Sequence, residues 1–227
     1  MVLMATRVQR TKRRADALSK QRIVEAAIEI LDTDGESALT FRALAARLAT
    51  GSGAIYWHVD DKNDLLAATT DDVIARVMTE VVSGAEPEEA IRAIALGVFD
   101  AIDAHPWVGA QLSRAPWQSA MLQIFEGIGG QLQALGVPER AQFDSASALV
   151  NYVLGVAGQN AANARLLQAR ETDRSAFLAA VAARWAQLDP AEYPFVNQVA
   201  TQLREHDDRE QFLAGIDLIL AGIGTVT

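Results

Sequence analysis

The stretch from Thr40 to Lys62, TFRALAARLATGSGAIYWHVDDK, decides the fold of this chain. Its first half places apolar residues at i, i+3, i+4 and i+7, the spacing of one helix face; they are Phe41, Leu44, Ala45 and Leu48. Thr40 can cap this helix, because its hydroxyl accepts a hydrogen bond from a free backbone N–H of the first turn. Residues 49–51 interrupt the period, and Ser52 can cap a second short helix in which Ile55 and Val59 face the first. The sequence therefore predicts two short helices joined by a tight turn.

The outward side of the second helix carries small residues first and aromatic residues after them. These residues are Gly53, Ala54, Tyr56, Trp57 and His58. So short a helix cannot bury three large rings, and exposed aromatic side chains usually mark a binding surface. Two helices at a steep angle form the helix-turn-helix, whose second helix enters the major groove of DNA. The same pattern also occurs in the cores of ordinary helical proteins.

Three runs of residues resemble the TetR family of bacterial regulators. The first is the LT-x-R-x-LA-x-RL run at 39–48, the second is AIYWHV at 54–59, and the third is the DK-x-DLL run at 61–66. The YWHV wording is similar to that of the tetracycline repressor itself. A weaker resemblance covers FLAGIDLILAGI at 212–223, which is similar to the last helix of that subgroup.

The resemblance implies that the predicted helix-turn-helix supplies the DNA contacts. It places Thr40 and Arg42 against the DNA backbone or a base edge, and arginine can bind guanine with two hydrogen bonds. It places Lys62 on a phosphate at the start of the fourth helix, although a solvated lysine is the simpler alternative. The full predicted set is Thr40, Arg42, Ser52, Gly53, Ala54, Tyr56, Trp57, His58 and Lys62. Because glycine and alanine offer few donors, we expect shape and phosphate contacts to contribute much of the affinity.

The rest of the chain shows helical periodicity and no strand pattern, so we expect an all-α fold. The first helix has its apolar face at Ile23, Ala26, Ala27, Ile30 and Leu31, and Gly35 is placed to end it. A fourth helix is expected to begin at Asp61, with Asp71 and Asp72 in solvent. The longest helix is predicted from Pro138 to about Ala169, and two more from Asp173 to Leu188 and from Pro190 to Leu203. We expect a basic flexible arm at 1–18, a DNA-binding domain at 19–65, and a ligand-binding and dimerisation domain at 66–227.

Charge is distributed unevenly along the chain. The net charge is −9, but residues 1–60 carry nine basic and seven acidic side chains, whereas residues 61–227 carry eleven and twenty-two. A basic segment ahead of a DNA-binding domain can contact phosphates, although it can equally be an ordinary polar tail. The acidic remainder repels DNA and would restrict contact to one end of the molecule.

The helices after Gly84 are expected to enclose a mostly apolar pocket with a few polar groups, for a small-molecule effector of unknown identity. The candidates are His105, Trp107, Trp117, Met121, Phe125, Asn151, Tyr152, Gln159, Asn163 and Trp185. For each of them, a place in the core is the simpler explanation. The resemblance also implies a homodimer in which the longest and the last helices pair with their copies.

Other function classes find little support in the sequence. No apolar run approaches the length of a membrane span, and the absence of cysteine fits a reducing cytoplasm. The three histidines lack metal-binding spacing, and nucleophile and phosphate-loop motifs are absent, so neither an enzyme nor a cofactor or metal is expected. We therefore expect a ligand-released, homodimeric repressor of a pseudo-palindromic DNA operator. The alternative is a DNA-binding regulator whose large domain only dimerises.

Overall fold

The structure, a computed structural model, describes residues 18–80, 85–114 and 118–225. These residues form eleven α-helices and one short 3₁₀ helix, and no strand occurs among them, which confirms the all-α prediction. The helices are α1 (Lys20–Thr33), α2 (Phe41–Arg47), α3 (Ser52–Ile55), α4 (Lys62–Glu80), α5 (Pro87–Ala104), α6 (Pro106–Arg114), α7 (Ser119–Ala134), α8 (Glu139–Ala169), α9 (Arg174–Trp185), α10 (Pro194–Val199), the 3₁₀ helix (Gln202–Glu205) and α11 (Asp208–Ile223).

Polar side chains cap several helices at the positions that the sequence indicates. Ser19 accepts from the N–H of Arg22 at 3.3 Å. Asp61 accepts from the N–H groups of Asn63 and Asp64 at 2.7 and 2.9 Å. Asp173 and Asp207 do the same for α9 and α11. Each cap satisfies a backbone donor that the first helical turn leaves free.

The helices pack as two groups that α4 connects. The first group comprises α1, α2, α3 and the start of α4, with α1 against both α2 and α4. The second group comprises α5 to α8 and α11, and α4 also packs against α5, α6 and α7. The buried residues of both groups form one continuous apolar cluster, which runs from Ile23 to Ile223. Because α4 belongs to both groups, one continuous helix connects them.

The segment predicted as a single helix from Pro190 to Leu203 is instead a turn, the short helix α10 and a 3₁₀ turn. The carbonyl of Asp189 accepts from the N–H groups of Glu192 and Tyr193 at 3.1 and 2.8 Å, which closes a turn before the helix can start. Tyr193 has φ −125° and ψ 57°, outside the helical region, because it precedes Pro194. The prediction of a continuous helix was therefore wrong.

Asp71 of α4 is not in solvent as the sequence suggested. It is half-buried, and its Oδ1 has no hydrogen-bond partner among the described residues. Burial raises the pKa of the Asp71 carboxyl, while the backbone N–H of Ala120 and the ammonium of Lys20 act to lower it. Asp72 is half-buried as well, but its carboxylate accepts hydrogen bonds from Gln21 at 3.1 Å and from Arg76. The packing of α7 against α4 covers Asp71, which a local periodicity cannot show.

Candidate nucleic-acid interface and effector cavity

Backbone and side-chain contacts fix the turn between α2 and α3. The hydroxyl of Thr40 accepts from the N–H of Ala43 at 3.1 Å and caps α2 as predicted. Ala49 has φ +50°, a left-handed conformation that favours glycine, and the N–H of Thr50 then donates to the carbonyl of Ala45 at 2.9 Å. The fully buried side chain of Leu44 holds α2 against the core.

The helix α3 is one turn long, shorter than the sequence suggested, and the chain continues as a turn through residue 58. Ser52 is its first residue and does not cap it, because Gly51 occupies the cap position and no side-chain hydrogen bond forms there. Ile55 and Val59 are buried at 0% and 1% exposure, as predicted, and they anchor the segment to the core. The backbone between these two anchors therefore projects the intervening residues outward.

Two of the three predicted aromatic residues form the most prominent part of this surface. Trp57 is 89% exposed and Tyr56 is 54% exposed. The Tyr56 ring stacks on Phe41 of α2, with centroids 4.4 Å apart and planes only 2° from parallel. His58 is half-buried instead of outward. The stack places the Tyr56 ring against α2, whereas the Trp57 ring is almost fully exposed to solvent.

The other predicted DNA-binding residues lie around this surface, with one exception. Thr40, Arg42, Ser52 and Gly53 are exposed and Ala54 is half-buried. Arg42 has no hydrogen bond or ion pair within the described ranges 18–80, 85–114 and 118–225, so its guanidinium is available. Lys62 instead directs Nζ inward and donates to the carbonyl oxygen of Glu36 at 2.7 Å. The predicted basic arm lies outside the described residues.

A cavity of about 1230 Å³ lies between α5, α8, α9 and the start of α11. Three residues predicted from sequence line it: Tyr152, Gln159 and Asn163. The Tyr152 hydroxyl donates to the carbonyl of Phe212 at 3.2 Å, and burial raises the pKa of this phenol. Sequence reasoning missed the apolar and charged part of the lining. That part includes Phe99, Asp103, Leu166, Arg170, Phe177 and Leu218, and the neutral amide of Asn160 was not predicted either.

The other predicted ligand residues that the structure describes do not line this cavity. Phe125 lines a second cavity of about 850 Å³ on the outer side of α7. Met121 is buried in the core, Asn151 is exposed at the surface, and Trp185 is half-buried. His105 and Trp107 lie at the contact between the two helix groups, where both contact Asp32 of α1. Trp117 lies outside the described residues.

Across the described residues, no group of histidine, aspartate and glutamate side chains is arranged to hold a metal ion. None of the described helices combines the length and the apolar character that a membrane crossing requires.

Comparison with known proteins assigns the two helix groups to two family models. Residues 23–69 match the N-terminal model of bacterial regulatory proteins of the tetR family, and residues 84–227 match the tetracycline-repressor-like C-terminal domain. An HTH-type transcriptional regulator of Saccharopolyspora erythraea is 32% identical over 180 residues, which cover 74% of this chain and 76% of that protein.

Solved structures agree with the family models. A TetR transcriptional regulator from Streptomyces coelicolor is 52% identical, with a TM-score of 0.86 over 92% of this chain and 99% of that one. BioQ in complex with its double-stranded DNA operator is 29% identical, with a TM-score of 0.57 over 68% of this chain and 92% of that one. On these matches, and with an exposed aromatic helix-turn-helix on a larger helical unit, the chain belongs to the TetR family of bacterial transcriptional regulators.

Proposed function

We propose that this protein is a homodimeric transcriptional repressor that binds a pseudo-palindromic DNA operator and is released by a small-molecule effector. The observation that carries the DNA-binding part is the exposed surface of Trp57 and Tyr56, which is positioned by the Phe41 stack and by two buried anchors, Ile55 and Val59. Exposure of an apolar ring such as Trp57 to water is unfavourable, and contact with base edges or sugars would remove the ring from water.

Features of α8 and α11 support the homodimer. Along α8 an exposed stripe includes Asn151, Gly155 and Ala162, and a side chain added at Gly155 would meet no other group within 4 Å. On α11, the small residues Ala221 and Gly222 are exposed although the same helix buries Phe212. A second copy that covers both stripes would bury this apolar surface. Two recognition surfaces about 34–36 Å apart would then read successive major grooves on one side of the DNA.

The large cavity supports the effector-binding part. Its size suits a drug-sized molecule, and its lining combines aromatic and aliphatic side chains with the amides of Gln159, Asn160 and Asn163. The Asn160 Nδ2 is buried and has no acceptor among the described residues, so a ligand oxygen would satisfy it. An effector there would displace α5 and α8, and through their contacts the helix α4 that begins at the DNA-binding unit. A coupling of about 1–3 kcal/mol is sufficient for regulation.

Selection of bound duplexes from random DNA, followed by variants of the surface, tests the DNA-binding part. We expect Arg42→Ala and Trp57→Ala each to weaken binding of a selected duplex by about 1–3 kcal/mol. Neither should change the melting temperature appreciably, because both side chains are exposed. Arg140→Ala removes an exposed arginine from the start of α8 and serves as the charge-matched control. Equal affinity of all four proteins would refute this assignment.

A compound screen against the selected complex tests the effector. We expect releasing compounds to be less effective on Val156→Trp, because the added ring occupies part of the cavity, while this variant still binds DNA. Release by unchanged concentrations of compound in Val156→Trp would place the effector site elsewhere. A large unit that serves only for dimerisation would leave the complex insensitive to every compound.

A further inference from the structure

Two carboxylates at the C-terminal end of α1 and in the turn after it contact α6, which belongs to the second helix group. The first is Asp32, whose Oδ1 lies 2.7 Å from the indole Nε1 of Trp107 and 2.8 Å from the ring Nδ1 of His105. An ionised carboxylate only accepts hydrogen bonds, so both ring nitrogens donate to it. Because Trp107 is only 6% exposed, this contact is shielded from water on one side.

The second carboxylate belongs to Glu36, in the turn after α1. Its oxygens accept from Arg114 Nη1 at 2.9 and 3.1 Å, and Oε2 also lies 3.3 Å from Nε2 of the buried Gln111. The backbone carbonyl of the same residue accepts from Lys62 Nζ at 2.7 Å. Glu36 therefore joins three segments: the end of α1, the start of α4 and the last turn of α6.

The two contacts hold α6 at opposite ends. Asp32 binds residues at the start of α6, and Glu36 binds residues of its last turn, so the attachment points are separated by most of the length of the helix, about 10–13 Å. The two groups also share α4 and one apolar cluster, and two separated polar contacts add more restraint on the orientation of the DNA-binding unit than a single contact would. The helix α6 also packs against α5 and α8, which contribute Phe99 and Gln159 to the large cavity.

We propose that Asp32 and Glu36 form an interdomain clasp that sets the orientation of the DNA-binding unit relative to the effector-binding unit. The inference rests on the proposed function for its effect on DNA, but the clasp itself is independent of it. The two carboxylates act as positioning residues, since neither lies on the Trp57 surface. Loss of either contact of the clasp would change that orientation and lower the affinity for DNA.

Residual dipolar couplings of the full chain without DNA test the orientation directly. We expect Asp32→Ala and Glu36→Ala to change the orientation of α1 to α3 relative to α5 to α8. The control Asp34→Ala removes an exposed carboxylate from the same helix end, which contacts Thr33 and not α6, and should leave the orientation unchanged. Unchanged couplings in both clasp variants would overturn the proposal, whether or not the protein binds any duplex.

Affinity for a duplex selected by the wild-type protein tests the consequence. We expect each clasp variant to bind about 5-fold to 150-fold more weakly, the range typical of coupling between sites. The exchange of charges in Glu36→Arg with Arg114→Glu should recover affinity that each single variant loses, which misfolding would not allow. A changed orientation with wild-type affinity would overturn the positioning role. A wild-type protein that binds no duplex would refute the proposed function and leave the orientation result to decide the clasp.

Discussion

The crossing of α8 and α11 depends on a glycine. A Cβ atom built at Gly215 would lie 1.9 Å from the hydroxyl oxygen of Tyr152 and 2.3 Å from its Cζ. The same hydroxyl donates to the carbonyl of Phe212, and the rings of Tyr152 and Phe212 stack with centroids 5.7 Å apart. The substitution Gly215→Ala must therefore displace the Tyr152 ring or separate the two helices.

The expected cost follows from these contacts. Loss of the Tyr152 hydrogen bond costs about 0.5–1.5 kcal/mol, and overpacking of a close contact costs about 1–3 kcal/mol. Replacement of a glycine by alanine within a helix offsets about 0.5–1 kcal/mol of this cost. We expect Gly215→Ala to lower the free energy of unfolding by about 1–3 kcal/mol.

Urea unfolding followed by circular dichroism measures this change, at a fixed protein concentration because a dimer would make the midpoint concentration-dependent. Gly130→Ala in α7 is the matched control, since a Cβ there would meet nothing within 4 Å, and it should stabilise the protein slightly. In the Tyr152→Leu variant, Gly215→Ala should lower the free energy of unfolding by less, because the tyrosine hydroxyl that the new Cβ would contact is absent. Equal stability of Gly215→Ala and the wild type would show that the Tyr152 contact does not hold the two helices together.

Two further variants test the packing around α4. A Cβ at Gly97 would lie 2.5 Å from Cγ1 of Val77, so Gly97→Ala should separate α4 from α5 and cost about 1–3 kcal/mol in urea unfolding; a neutral result would contradict the close approach. The pKa of Asp71 is raised on folding, so the native state loses stability as pH rises from the unfolded value of 3.8 through the folded pKa. Asp71→Asn should therefore raise the melting temperature at pH 7, with a gain that shrinks toward pH 4, and a gain equal at both pH values would refute this explanation.

Local signals in the sequence predicted most of the helix-turn-helix. The cap at Thr40, the buried anchors Ile55 and Val59, and the exposure of Trp57 each depend on residues within one or two turns of each other. Helical spacing also brought Tyr152 and Gln159 to the same cavity, because they lie two turns apart on one helix.

Contacts between distant segments explain what the sequence did not predict. His105 and Trp107 were proposed as ligand residues from their chemistry alone, but both donate to Asp32, more than 70 positions away in the chain. The phosphate contact of Lys62 follows from the family resemblance and stays a prediction, whereas its hydrogen bond to the carbonyl of Glu36 is not apparent in a helical pattern. Burial of Asp71 has the same origin, in the packing of α7 against α4.

The central claim is that the Trp57 surface enters duplex DNA, and tryptophan indole resonances test it most directly. The chain has four tryptophans, so a spectrum of ¹⁵N-labelled indoles is simple, and Trp57→Phe assigns the peak. On addition of a selected duplex we predict that the Trp57 indole peak shifts strongly, whereas a scrambled duplex has little effect at moderate salt. A complex that forms with an unperturbed Trp57 peak, or the absence of any complex, would contradict the account.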